Sequence, residues 1–449
     1  MNPRMLVRLM VVALVALVAA LWLGSRRGPS TELEGHKALV PGLKDAINDV
    51  TAVKLTGAEN KPIATLEKGE KDWRVAERGG YAADSAKVRE FMLKLADGEL
   101  IEAKTATPEL HKKLGVEDPA QKDATSVQVE LVGGKGATKL VVGRFNGLGG
   151  DGTFVRTAGD NQAWLAKGNL TVDKQPSDWL RKDLVDIASN RIQSVQITRE
   201  GKTLTASKAK PSDANYTVAE VPKGRELTSE TSANGLASVL SGLRLDDVFK
   251  REEIPAPDAN DVRAVRYASW DGLVVSGLAW EKDGKAYAHF EASLVEAKAK
   301  DDIREQQARD KADFEARKAE FEIKAKAEAA KAAEAPAVPV PATAAQSKSA
   351  PPAPPTPAEA AIEKAKGEPP AEPLAMTDPA KDEELRLARL RKEVEDLNAK
   401  FQGWTFVLPS FKYANINKTV DELLKPLPQK AEPAKDAKAA AAKTAAAKT

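Results

Sequence analysis

"NRIQSVQITREGKTLTASK", residues 190–208, restates in the middle of the chain what "DVTAVKLTG", residues 49–57, begins near its start. Ile192, Val195 and Ile197 stand where Val50, Val53 and Leu55 stood, each set alternating with polar neighbours. Such alternation marks a strand with one buried face. The agreement extends outward. "NYTVAE" (215–220) answers "DWRVAE" (72–77) as a second short strand. Asp84 then caps a helix with Val88, Phe91, Met92 and Leu95 on one face, and "TSANGLASVLSGLRLDD" (231–247) offers Leu236, Val239, Leu240 and Leu243 in the same place. In the first half four strands follow, "TSVQVELVGG", "TKLVVGRF", "GTFVRTA" and "QAWLAKG", separated by Gly-rich or Asp/Asn turns, with "KQPSDWLRKDL" as a closing helix.

The second half supplies only three of those four, "VRAVRYASWDG", "LVVSGLAWEKDG" and "KAYAHFEASL". The missing strand and closing helix return in "GWTFVLPSFKYANINKTVDELLKPL" (403–427), with Trp404 matching Trp164, then a polar loop, then a helix over Thr419–Leu424. Between lies an insertion. Leu294–Ala335 has no Pro or Gly and reads as one long solvated helix. Residues 336–375 are rich in Pro and Ala and read as a linker. Asp378 caps a second helix, Pro379 opens it, and Leu387, Leu390, Val394, Leu397 and Phe401 form a coiled-coil seam at spacings of three and four. The first helix offers Ile303, Phe314 and Phe321 as a thinner stripe, so an antiparallel hairpin is expected, with the five seam residues as the candidate partner-helix site.

The N-terminus carries Arg4 and Arg8, an apolar run from Leu9 to Leu23, then Arg26 and Arg27. Counted from Met5, a helix of about 20 residues at roughly 1.5 Å each crosses a hydrocarbon core of about 30 Å. A cleaved signal peptide is the competing reading, but Val18-Ala19-Ala20 would cut inside the apolar run. The expectation is a retained, single-pass anchor over residues 5–23 in the inner membrane, with the bulk of the chain periplasmic or otherwise extracytoplasmic. The expected organisation is residues 1–24 N-terminus and anchor, 25–44 stem, 45–189 first β-rich half, 190–293 with 401–428 second half, 294–400 insertion, and 429–449 an Ala/Lys tail. The fold class is α+β.

The balance of 68 Lys and Arg against 66 Asp and Glu argues against a nucleic-acid partner. With no cysteine, disulfides, thiolate metal sites and a Cys nucleophile are excluded. His36, His111 and His289 lack ligand spacing, so neither a metal site nor a His triad is expected. "GLGGDG" (147–152) satisfies G-x-G-x-x-G but runs into the strand "TFVRTA" rather than a helix N-terminus, so it reads as a hairpin turn and not a dinucleotide cradle. Trp73, Trp164, Trp179, Trp270, Trp280 and Trp404 fall in or beside predicted core elements. No cofactor and no catalytic residue is indicated.

At "LGVEDP" (114–119), "LVVGRFNGLGGDGTFVRTAGDNQAWLA" (140–166) and "WLRKDLVDI" (179–187) the chain resembles the bacterial family called domain of unknown function 4340. Gly115 and Pro119 end a helix, Gly143 and Gly152 bracket a hairpin, and Arg156 and Arg181 recur in the family pattern. The resemblance implies a membrane-anchored extracytoplasmic protein, of a kind often encoded beside ABC-type transporters of the gliding-motility class, and implies no catalytic residue. Three functions stand in order of expectation. The first is a non-enzymatic accessory or scaffold subunit of a transporter-like envelope complex, with self-association through the inserted helices as one mode of assembly. The second is a binding module for an envelope glycan or peptide, and the third a hydrolase with a dispersed carboxylate pair.

Overall fold

The computed structural model describes residues 32–133, 136–147, 150–333 and 370–426. The expected anchor at residues 5–23, most of the Pro/Ala linker and the C-terminal tail lie outside them. Among the described residues no helix is long and apolar enough to cross a membrane. The protein is a mixed α/β structure with large antiparallel sheets. Its chain divides into two compact units: residues through Leu184 with Arg244–Pro255 and Gly403–Leu408, and Val185–Leu243 with Ala256–Gln402 and the residues from Pro409.

The first unit contains β1 (Glu32–Ala38), β2 (Val50–Thr56), β3 (Pro62–Lys68), β4 (Trp73–Val75), β5 (Tyr81–Ala82), β6 (Glu99–Thr105), β7 (Val127–Gly133), β8 (Gly136–Asn146), β9 (Gly152–Thr157) and β10 (Ala163–Lys167). They form one sheet in the order β1-β6-β10-β9-β8-β7-β2-β3-β4-β5. Val53 faces Leu66 on one side and Leu131 on the other, and Leu55 faces Ala64 and Val129. All of these side chains are buried, so the alternation seen in the sequence is a face set against the core. Short α1 (Leu43–Ala46) precedes β2, and α2 (Ser85–Ala96) starts where the Asp84 carboxylate accepts the N–H groups of Ala86 and Lys87. Val88, Phe91, Met92 and Leu95 bury its inner face, and Phe91 meets Trp179 edge-on at 5.4 Å.

Two expectations change here. Glu32–Ala38, placed in a stem, is an edge strand in which Lys37 and Ala38 face Leu100 and Glu99. It leaves no side-chain signature because an edge strand is held by backbone pairing to an open neighbour more than by apolar alternation. The closing helix around Trp179 is a single 3-10 turn, Pro176–Trp179, before the short β11 (Asp183–Val185). A third helix, α3 (His111–Leu114), is likewise one turn long.

The second unit has β12 (Ile192–Arg199), β13 (Lys202–Ser207), β14 (Thr217–Val218), β17 (Arg263–Ser269), β18 (Leu273–Lys282) and β19 (Lys285–Leu294). Their order, β14-β13-β12-β17-β18-β19, matches β4-β3-β2-β7-β8-β9 of the first unit. The registers match as well: Val195 faces Ala206 and Tyr267, and Ile197 faces Leu204 and Val265. One hydrogen bond is repeated in detail. Glu77 accepts the Thr65 N–H at 2.7 Å, and Glu220 accepts the Thr205 N–H at 2.7 Å.

The expected helix over 231–247 shrinks to α4 (Asn234–Ala237), followed by turns and the two-residue β15 (Leu243–Arg244). Gly235, Ser238, Ser241 and Gly242 weaken helix propagation, and the Ser238 hydroxyl bonds back to the Gly235 carbonyl. Leu236, Val239, Leu240 and Leu243 are nonetheless all buried.

Beyond β19 runs α5 (Glu296–Ala333), 38 residues and about 57 Å long. The chain resumes as α6 (Leu374–Thr377) and α7 (Pro379–Phe401). Residues 410–416, expected as a polar loop, form α8 (Ser410–Ile416), with Tyr413 and Ile416 buried; α9 (Val420–Leu423) carries a Thr419–Glu422 capping box.

The strand resumed after the insertion, β20 (Trp404–Leu408), pairs antiparallel with β16 (Asp247–Lys250) and belongs to the first unit. Phe406 faces Val248, Tyr81 meets Trp404 edge-on at 5.0 Å, and burial pushes the Tyr81 phenol up to about 12. Arg78 holds Asp247 through two bonds of 2.6 and 2.9 Å and lies over the Phe249 ring.

Candidate partner-binding face on the inserted helices

The five seam residues of α7 are used inside the second unit. Leu387 packs with Ala299 and Ile303 of α5, joined by Leu294 and Leu390. Phe401 is buried 5.6 Å from Phe290 of β19, Leu397 is buried, and Val394 is half-buried. Asn398 adds two hydrogen bonds to Ala292, one to its N–H and one to its carbonyl, each 2.8 Å. The side chain thus ties α7 to the backbone of β19.

Charged groups fix the same arrangement. Arg191, just ahead of β12, donates to Glu393 of α7 at 2.6 and 2.8 Å and to Asp271 at 2.7 Å. The Glu393 hydrogen bonds raise its pKa against the opposing effect of burial, so the guanidinium stays charged. Ser269 donates to the other Asp271 oxygen. On the next stretch Arg386 reaches Asp382, Asp310 and Gln306, while Gln307 donates to Asp382 and to the Pro379 carbonyl. The two helices therefore run antiparallel, with the start of α7 beside Gln307. The remainder of α5 reaches past it. Phe314 is still covered there, Phe321 is half-buried, and Ile323 is 68% exposed.

Two recesses flank α7. One, about 610 Å³, is lined by Asp271, Asp302, Asp310, Asp382 and Arg386, and burial followed by the nearby Asp271 raises the Asp302 carboxyl above the ordinary range. Asp310 and Asp382 answer to Arg386, Asp302 to Gln306 and Asp271 to Arg191, and among the described residues no cluster of His, Cys, Asp or Glu is arranged to hold a metal ion. The other is an open groove of about 730 Å³. Val185, Asp186 and Ile187 form one wall. The opposite wall is the outer face of α7, from Leu385 and Ala388 to Leu397 and Lys400. Leu385, 45% exposed, and Arg389 stand on the crest between the two recesses. The sequence reading missed this outer face, because alternating charges on a helix read as solvated; its signal lies in the order of the charges, Arg389, Lys392, Glu393, Asp396.

The remaining candidates serve packing. His111 bonds the Asn161 carbonyl at 2.8 Å, and His289 lies against Trp280. Trp73, Trp179 and Trp280 are buried. In the first unit the motif "LGVEDP" packs on β8. Gly115 has φ +69°, and a Cβ on Gly143 would lie 2.7 Å from the Gly115 carbonyl oxygen. Only glycine permits that approach. Buried Arg156 donates to the Val116 carbonyl at 3.0 Å and the Asp160 carbonyl at 2.7 Å, closing the same turn. A cleft of about 530 Å³ beside it is lined by Lys112, Arg144 and Lys174. All three are engaged: Lys112 with Asp123, Arg144 with two carbonyls, and Lys174 with the Thr125 carbonyl.

Residues 73–264 match the family described as domain of unknown function (DUF4340). The chain carries a DUF4340 domain. The DUF4340 match begins at Trp73 in β4 of the first unit and ends at Ala264 in β17 of the second, so it includes the glycine and arginine packing just described and stops before the inserted helices. No curated protein and no solved structure matches the chain.

Proposed function

We propose that this DUF4340 protein is a non-enzymatic accessory or scaffold subunit of a transporter-like envelope complex, anchored through residues 5–23 and acting by protein contacts outside the cytoplasm. The two β-rich units act as two copies of one module, and the insertion adds a contact surface to the second. The observation that supports this most is the build of that insertion. It lies outside the family match, is clamped to the sheet through Arg191, Glu393 and Asn398, and extends α5 past the start of α7 with Ile323 in solvent. A rigid base with an exposed helical extension suits contact with another protein better than turnover of a small molecule. The resemblance to anchored proteins encoded beside ABC-type transporters supports the same reading.

The test is photo-crosslinking in native membranes from a probe placed at Ile323. Adducts with membrane transport components are expected, and they should disappear when Arg191 and Glu393 are both replaced. A probe that yields no protein adducts, in a chain recovered from the soluble fraction, would refute the proposal.

A further inference from the structure

The outer face of α7 carries a charge order with a property of its own. The groove-lining positions are 385, 388, 389, 392, 393, 396, 397 and 400, one helical face about 22 Å long. Their midpoint falls between Lys392 and Glu393. When two such faces lie antiparallel about that midpoint, each position meets the one equally far beyond it. Arg389 meets Asp396 of the partner subunit, and Lys392 meets Glu393 of the partner subunit. Each contact occurs twice, once on each side of the twofold axis. The face is thus complementary to itself in charge, as an isologous interface requires.

We infer that the groove beside α7 is a self-association site, occupied by α7 of a second copy of this chain. The face is available for it. Leu385 and Arg389 form the crest, Ala388, Lys392, Asp396 and Lys400 are exposed, and Val185 and Ile187 offer an apolar wall across the groove. Among the described residues Arg389 has no ion-pair partner in its own chain. Lys392 pairs with Asp396 one turn away, at 2.6 Å and in solvent, a contact that trades at little cost for one across the interface. Glu393 is already oriented by Arg191, so the central charge of the interface is held in place before the second copy arrives. The base of α7 is anchored on β19, which makes the face rigid. A single four-turn helix pair is a small interface, so the association is weak, in the micromolar range or above. The pairing does not depend on which envelope partner the chain serves, and its failure would leave the scaffold reading intact.

The experiment uses the full chain in detergent, with sedimentation measured from about 1 to about 300 μM, a range that brackets micromolar association. The wild-type chain is expected to form dimers within it. Arg389→Glu alone and Asp396→Arg alone each set like charges against each other twice, and each should weaken dimerisation about tenfold or more. An equimolar mixture of the two should recover the dimer. In the mixed pair the reversed sign at 389 of one copy meets the reversed sign at 396 of the other, and the second contact remains Arg389 with Asp396. Circular dichroism of each variant checks that the fold is kept. A wild-type chain that stays monomeric across the range overturns the inference. So do single variants that dimerise like wild type, or a mixture that fails to recover. If the groove instead takes a helix from another protein, the wild-type chain stays monomeric while the charge reversals abolish capture of that protein, which also refutes self-pairing.

Discussion

Phe406 and Phe411 lie five residues apart, on either side of Pro409, and provide a controlled comparison. Phe406 is 0% exposed, faces Val248 across the β16–β20 pair and lies 6.4 Å from the Tyr81 ring. Phe411 is 66% exposed on α8. Burial of a large apolar side chain is worth about 1.5–3 kcal/mol, and truncation of a buried Phe to Ala, with its cavity, costs about 3–5 kcal/mol. For a unit of this size each kcal/mol lowers Tm by about 2–4 °C. Phe406→Ala should therefore lower the melting temperature of the first unit by roughly 6–20 °C, a large share of a typical stability of about 5–15 kcal/mol. Phe411→Ala should change stability by less than about 0.5 kcal/mol. The assay is thermal unfolding of the full chain, read by near-ultraviolet circular dichroism, with hydrogen exchange at Val248 and Tyr81 to locate the loosened region. If Phe406→Ala melts with the wild type, or if exchange at Val248 is unchanged, β20 contributes no core to that unit and the reasoning fails.

Arg191→Met removes the half-buried guanidinium that joins Asp271 to Glu393, and should cost about 1–3 kcal/mol once solvent exposure is allowed for. Combined with Glu393→Gln, the two losses should be non-additive by about 0.5 kcal/mol or more in a denaturant double-mutant cycle. Glu77→Ala and Glu220→Ala each leave a strand N–H without its side-chain acceptor, so both should destabilise by about 1 kcal/mol, and a loss at only one would break the equivalence of the two units. Burial raises the phenols of Tyr81 and Tyr216 from 10.0 to about 12, so the folded state keeps protons that the unfolded chain releases. Their contribution should be complete below pH 10 and fall as the pH rises towards about 12, measurable as a declining urea midpoint; an unchanged midpoint over that window would exclude it.

Much of the β structure was legible because its signals are local. Val53 and Leu55, and again Val195 and Ile197, face one way by the geometry of an extended chain, whatever the rest of the protein does. Val50 and Ile192, an odd number of positions away, lie beyond a register shift in the pairing with the neighbouring strand. The Asp84 cap and the Asp378-Pro379 start were readable for the same reason, since a cap lies within a few residues of the N–H groups it serves. The helix over 231–247 was misread because its apolar positions suited a helix while its glycines and serines did not, and burial of Leu236, Val239, Leu240 and Leu243 is satisfied equally well by turns.

The repeat, the apolar faces and the inserted helices follow from the order of residues alone, since periodicity and capping act over a few positions. Which face of α7 lies inward does not. Leu387 and Phe401 looked like part of a seam waiting for a partner, and the fold covers them with Ala299, Ile303 and Phe290, up to more than a hundred residues away. The strand at Trp404–Leu408 was visible as a strand, yet its place beside Asp247–Lys250, braced by Arg78 and Tyr81, depends on contacts between segments up to more than three hundred residues apart. Short-range order is written in the sequence because backbone geometry repeats. The choice of partner for an apolar face is made only when the whole chain has closed and the competing surfaces have been buried.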